Sequence, residues 1–139
     1  MEHIRLSRHS GASCERGQNL IEFAIVLPVL LLVLMGIIDF GFMLKTQTDL
    51  SRANMAGARS AAFSASDDDV NTSILLSVPS SFDTSRMSIS LTRESQSPER
   101  GTEVTVTATY IYKSITPLPF VSDILDGKQL TSSTTVRVE

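Results

Sequence analysis

Three positions in the stretch "RGQNLIEF" carry residue types that can do chemistry: Gly17, Gln18 and Glu22. Glu22 is a carboxylate placed two residues inside an apolar run that starts at Leu20. A charge at such depth is costly without a partner, and an ionisable residue there is a functional hypothesis by default. Cleavage between Gly17 and Gln18 would create that partner, a new α-amino group on Gln18. Glu22 would then be the fifth residue of the shortened chain. On one helix the two groups are close in height, so they can pair within a chain; in a bundle, Glu22 can meet a neighbour's amine instead. Breaking a buried pair of this kind costs ~3–5 kcal/mol, which would penalise wrong axial register between helices. The plainer reading is a carboxylate that snorkels to water or headgroups at the interface.

The element that must position these groups is the run itself. Residues 20–44 contain only two ionisable side chains, Glu22 and Asp39. A helix needs about 20 apolar residues to cross a bilayer core, so this run is long enough to span. Pro28 is expected to kink the helix rather than end it, since neighbouring groups within a membrane re-satisfy the freed carbonyl. Gly36 and Gly41 offer points of close approach for another helix. Asp39 lies roughly 25 Å beyond Glu22 at helical rise, near the far side of the bilayer. It reads as an outer-interface carboxylate, with pairing to a neighbour, as a second intramembrane charge, the alternative. Arg5, Arg8 and Arg16 precede the run, and Lys45, Arg52 and Arg59 follow it beside Asp49. That balance leans toward a cytoplasmic N-terminus, and the short N-terminal arm needs no translocation. The run exceeds the apolar core of an ordinary secretory signal and ends in "FGFMLKTQ", without a small-residue cleavage site.

Composition excludes several function classes. The net charge of −3 gives a nucleic-acid partner no support. Cys14 is the single cysteine, so no internal disulfide forms. It precedes the apolar run, where a lipoprotein cysteine would follow it. Removal of residues 1–17 would also remove His3, His9 and Cys14, leaving no His or Cys for a nucleophile pair or a histidine metal site. No nucleophile elbow, phosphate loop or convincing carboxylate pair follows. Glu94, Glu99, Asp123 and Asp126 read as solvated charges. The chain is therefore expected not to be an enzyme and to need no cofactor, metal or small-molecule substrate.

Beyond the membrane run, residues 45–63 read as a continued helix. Ala53, Ala56, Ala58, Ala61 and Ala62 give it a small-residue face, with Gly57 among them, suited to close packing on a partner or on the protein's own sheet. The alternative is a plain solvated connector. "SASDDDVN" is expected to end the helix as a solvated boundary, because its aspartates lack the spacing and distal Glu of an EF-hand. "TSILLSVPSSF" is ambiguous between helix and strand. Period-2 alternation then takes over. In "RMSISLTRE", Met87, Ile89 and Leu91 share one face. In "TEVTVTATYIYK", Val104, Val106, Ala108, Tyr110 and Tyr112 share one face and threonines the other. The segment from Ser97 to Gly101 reads as the hairpin loop between them, "ITPLPFVSDILDGK" as a turn with one helical turn closed by Gly127, and "LTSSTTVRVE" as a weaker third strand. The fold class expected is α+β. A long N-terminal helix, half transmembrane and half soluble, packs its soluble half on a small antiparallel sheet of three or four strands.

The segment "RGQNLIEFAIVLPVLLLVLMGIIDFG" resembles the N-terminus of the TadE-like, pilin-related proteins of the tight-adherence (Flp) pilus. The likeness lies in the Arg16-Gly17 leader end, Glu22-Phe23 and Pro28, and extends through "NMAGARSAA"; a weaker likeness touches the "TPL" turn and the final "TTVRVE" strand. The resemblance implies a pilin-like fold and a leader, residues 1–17, removed by a membrane prepilin peptidase on the cytoplasmic face. It implies a transmembrane helix at 18–44, its soluble continuation at 45–63 and a β domain at 64–139 on the periplasmic side. It further implies a minor pilin or pseudopilin of the inner membrane that works with other pilin-like subunits in pilus assembly, adhesion and biofilm formation, and reaches the pilus or cell surface after assembly. The alternative is an uncleaved single-pass anchor that presents a small periplasmic β domain for protein binding.

Overall fold

The structure is a computed structural model that describes residues 12–63, 66–94, 100–116 and 119–139. Most of the expected leader, the centre of the hairpin loop and the Pro117-Leu118 part of the "TPL" turn lie outside the described residues. The element order is α1 (Ala12–Ala62), α2 (Asp67–Ser77), a 3-10 turn (Thr84–Arg86), β1 (Met87–Arg93), β2 (Glu103–Ile111), α3 (Pro119–Leu125) and β3 (Gln129–Arg137). The architecture is α+β, as the alternation of periods requires. Two compact units divide at Ile37 and Ile38, inside α1.

In the first unit α1 is apolar on every side. Its Leu, Ile, Val and Phe side chains are exposed, Leu20 at 69%. The stretch from Gly17 to Ala62 is long and apolar enough to cross a membrane. Pro28 sits inside α1 without ending it. Its missing N–H leaves one carbonyl without its helical donor, a gap that a membrane helix tolerates.

The second unit, Ile38–Glu139, holds a core. Its sheet is a meander in the order β1-β2-β3, antiparallel throughout. Tyr110 faces Met87 on one side and Leu130 on the other, and Val106 lies between Leu91 and Thr134. This register puts Val104, Val106, Ala108 and Tyr110 on one buried face. The α1 residues Ala53, Ala58 and Ala61 pack there with Val104, Val106, Val138, Val70 and Ile74. Leu50 gathers Ala108, Tyr110, Tyr112 and Leu130. Each large aliphatic side chain buried this way contributes about 1.5–3 kcal/mol. The small-residue face of α1 is thus spent on the protein's own sheet and on α2. Gly57 shows why small residues are needed: a Cβ there would sit 2.3 Å from Cγ1 of Ile74.

Residues 66–71, expected as a solvated boundary, begin a second helix, and the ambiguous segment after them continues it to Ser77. Ser66 caps α2, its hydroxyl accepting from the Asp69 N–H at 3.2 Å while the Asp69 carboxylate takes the Ser66 N–H at 3.3 Å. This reciprocal box satisfies two donors of the first turn. Asp67, Asp68 and Asp69 all lie in that turn, where negative charge complements the helix dipole. Val70 and Ile74, one turn apart, then bury against α1. The domain expected at 64–139 therefore contains helices as well as its sheet.

β3 explains its own weak pattern. Its inward positions include Ser132 and Thr134, half-buried rather than apolar. Asn54, fully buried on α1, donates from Nδ2 to the Val106 carbonyl at 3.1 Å, to Thr134 Oγ1 at 3.1 Å and to Ser132 Oγ at 3.4 Å. A polar residue on the helix thus answers polar positions on the strand. On the outer face, cross-strand hydroxyls pair instead, Thr105 with Thr135 at 2.9 Å and Thr107 with Ser133 at 3.1 Å.

Candidate functional site

The two carboxylates of the apolar run occupy different surroundings. Glu22 lies on α1 in the first unit, with its side chain exposed. Among the described residues, no hydrogen bond or ion pair reaches it. Phe23, Gln18 and the nearby leucines are exposed as well. The structure therefore leaves Glu22 available, on a helix whose whole circumference is apolar.

Gly17 is in open space: a Cβ built on it meets nothing within 4 Å. The same is true of Gly36 and Gly41. Among the described residues, no packing requires a glycine at these three positions, in contrast to Gly57. The Gly17–Gln18 bond lies within α1, which begins at Ala12.

Asp39 belongs to the second unit and is fully buried, at 0% exposure. Three donors from the segment after β2 converge on it. The Tyr112 hydroxyl lies 3.1 Å from Oδ1, and the Ile115 N–H donates to the same oxygen at 3.1 Å. The Ser114 hydroxyl donates to Oδ2. Tyr112 also lies 3.2 Å from the Asp39 main-chain carbonyl. A buried carboxylate needs such donors, because an unmade hydrogen bond there costs about 1–3 kcal/mol. The arrangement fastens residues 112–115 to α1.

Burial pushes the Tyr112 phenol above its usual range, and the hydrogen bond and negative charge of Asp39 push it further the same way. The phenol therefore stays protonated and keeps donating across ordinary pH. Asp39 thus finds its partners within its own unit. That placement goes beyond both sequence readings, an interface residue and a second charge paired to a neighbour. Sequence reasoning missed Tyr112 and Ser114 as its partners. The available signal was period-2 spacing continuing past the strand, so that 110, 112 and 114 share one side.

Chemically, this is a holding arrangement. Asp39 is ringed by donors that hold it in place. Among the described residues, no three His, Cys, Asp or Glu side chains gather in a way that could hold a metal ion. Asp67 is paired with Arg93 across α2 and β1, and Asp126 accepts from the Ser114 N–H.

Comparison with known proteins gives one family. The model of the family described as TadE-like protein matches residues 17–59. It is the family that the N-terminal motif resembles. The matched segment runs from Gly17 through Glu22, Pro28, Asp39 and Asn54 to Arg59, and so covers both carboxylates. No curated protein and no solved structure matches the chain.

Proposed function

From the TadE-like character of residues 17–59, we propose that the chain is a minor pilin or pseudopilin of a tight-adherence pilus, cut between Gly17 and Gln18. The observation that carries this reading is Glu22, an exposed carboxylate on an apolar helix, five residues past a glycine in open space. In this account the amine freed at Gln18 meets Glu22, within a subunit or between neighbours. The pair offsets the desolvation of each charge and sets the axial register of one helix against the next. The residues after Leu44 are then the part each subunit presents outside the bilayer. The N-terminus is cytoplasmic, the sheet periplasmic, and the partners are the prepilin peptidase and other pilin-like subunits. Pilus assembly, and through it adhesion and biofilm growth, is the role.

The second reading is an uncleaved single-pass anchor. It draws on α1 running without a break from Ala12 through the bond to be cut. A peptidase would have to unwind that turn to reach it.

The mass of the protein from cells with and without a prepilin peptidase separates the two. Loss of residues 1–17 only when the peptidase is present supports the pilin reading; an N-terminus at Met1 in both supports the anchor. Gly17→Leu sharpens the test. Since nothing in the chain crowds Gly17, the variant should fold normally and fail only to be processed. Normal processing of Gly17→Leu rules out that bond as the site.

A further inference from the structure

A cavity of about 200 Å³ opens in the second unit, and one of its walls begins inside the apolar run. Phe42, Lys45, Thr46 and Asp49 line it from α1 at helical spacing. Tyr110, Tyr112, Lys113 and Ile115 line it from β2 and the segment that follows, and Ser81 and Phe82 complete it. Phe82 stacks on Tyr110 with ring centroids 4.7 Å apart. Part of the lining is apolar, with Phe42 and Ile115 exposed at 45% and 64% respectively. Lys45 and Lys113 add two ammonium groups to the lining.

Those ammonium groups are only partly engaged. Lys45 bonds Asp49 at 2.7 Å and its side chain remains 63% exposed. Asp49 also lies 3.9 Å from the Arg52 guanidinium. No described residue accepts a hydrogen bond from Lys113 or from the Tyr110 hydroxyl. The cavity thus holds spare donors and positive charge beside an aromatic and aliphatic wall. Its height is fixed by sequence, because Phe42 is within residues 20–44 and Lys45 is the first charge beyond them.

We propose that this cavity binds the phosphate of an anionic phospholipid at the bilayer edge. Lys45, Lys113 and Tyr110 would hold the headgroup, and Phe42 and Ile115 would lie along the start of the acyl chains. The chemistry recognised is a phosphate anion. The apolar lip at membrane height selects a lipid over free phosphate. The proposal rests on residues 20–44 spanning a membrane and is independent of cleavage at Gly17.

The test uses the full chain purified in detergent, with equal amounts of phosphatidylglycerol and phosphatidylcholine of matched acyl chains, read by native mass spectrometry. Phosphatidylglycerol should be retained preferentially. That preference should fall on the order of tenfold in a Lys45→Ala, Lys113→Ala double variant, as expected when two basic groups near a lipid surface are lost. A Lys45→Arg, Lys113→Arg variant should recover it. Both lysines are exposed, so a thermal melt should show the fold intact. Tyr110→Phe, which keeps the ring and removes only the hydroxyl, gives a second readout and should also weaken retention. Equal retention of the two lipids, or unchanged retention in the double variant, overturns the proposal. Complete displacement of the lipid by millimolar inorganic phosphate also overturns it, because free phosphate would then be the ligand.

Discussion

The two units of this protein use the same aliphatic vocabulary to opposite ends. In the first, Leu20 is 69% exposed, and leucines, valines and isoleucines cover every side of the helix. In the second, Leu50 on the same helix is 0% exposed, in contact with the sheet. Each unit also has one carboxylate of the apolar run. Glu22 makes no hydrogen bond or ion pair among the described residues, while Asp39 is buried under three donors. The contrast teaches that a single helix can be written for two solvents. Where the surroundings are lipid, apolar residues need no internal partner. Where the surroundings are water, the helix buries a narrow face of small residues and satisfies its charge internally.

Core substitutions should break this contrast most strongly. Leu50→Ala is expected to cost the second unit about 3 kcal/mol, within the usual span for a buried leucine, whereas Leu30→Ala should leave that unit's melting unchanged. Chemical unfolding in detergent, followed through tyrosine near-ultraviolet dichroism, checks both; equal effects would erase the distinction. Gly57→Val should be of similar size, about 3 kcal/mol, because Ile74 already occupies the space. Gly36→Val, in open surroundings, should not destabilise this unit.

The carboxylates give the next largest difference. Asp39→Ala leaves the Tyr112 and Ser114 hydroxyls and the Ile115 N–H without their acceptor, for an expected loss of about 2–3 kcal/mol. Glu22→Ala should not change the stability of the second unit. A double-mutant cycle of Asp39→Ala with Tyr112→Phe should show coupling of about 1 kcal/mol; simple additivity would contradict the contact.

Much of this was legible in the sequence, and the gaps have physical causes. Alternation in Met87–Arg93 and Glu103–Ile111 announced two strands because each has one buried and one wet face. The third strand was faint, since Ser132 and Thr134 stand at inward positions and make sense only once Asn54 is placed against them. α2 was hidden for a related reason. Three aspartates look like a solvated break until Ser66 and Asp69 are seen to form a cap ahead of Val70 and Ile74. Asp39 could be found as a charge in an apolar run, but its partners come from 73 to 76 residues away along the chain. Only the tertiary fold brings them together. Glu22 stood out from the sequence alone, because the reading of it depends only on local spacing from Gly17.

The smallest expected effects are those of pH. The Tyr112 phenol has a raised pKa in the fold, so the neutral form is the one the fold favours. Its contribution is complete below the unfolded value of about 10 and is lost as pH rises above it. Tyr112→Phe should flatten the alkaline limb of a stability–pH profile. Asp83 has a lowered pKa, chiefly through the Ser85 hydroxyl and N–H. Its contribution is present above the unfolded value of about 3.9 and fades as pH falls below it. Asp83→Ala should reduce the acid limb by a small amount, because the group is at the surface.

The central claim is that Glu22 stands ready for an amine that the intact chain lacks. Zero-length carbodiimide coupling in native membranes joins a carboxylate to an amine only where the two already touch. Digestion and mass spectrometry should recover the Gln18 α-amino group bonded to the Glu22 side chain, from the same or a neighbouring subunit. Recovery of an N-terminal peptide that begins at Met1, or of a free Gln18 terminus with Glu22 uncoupled, would contradict the account.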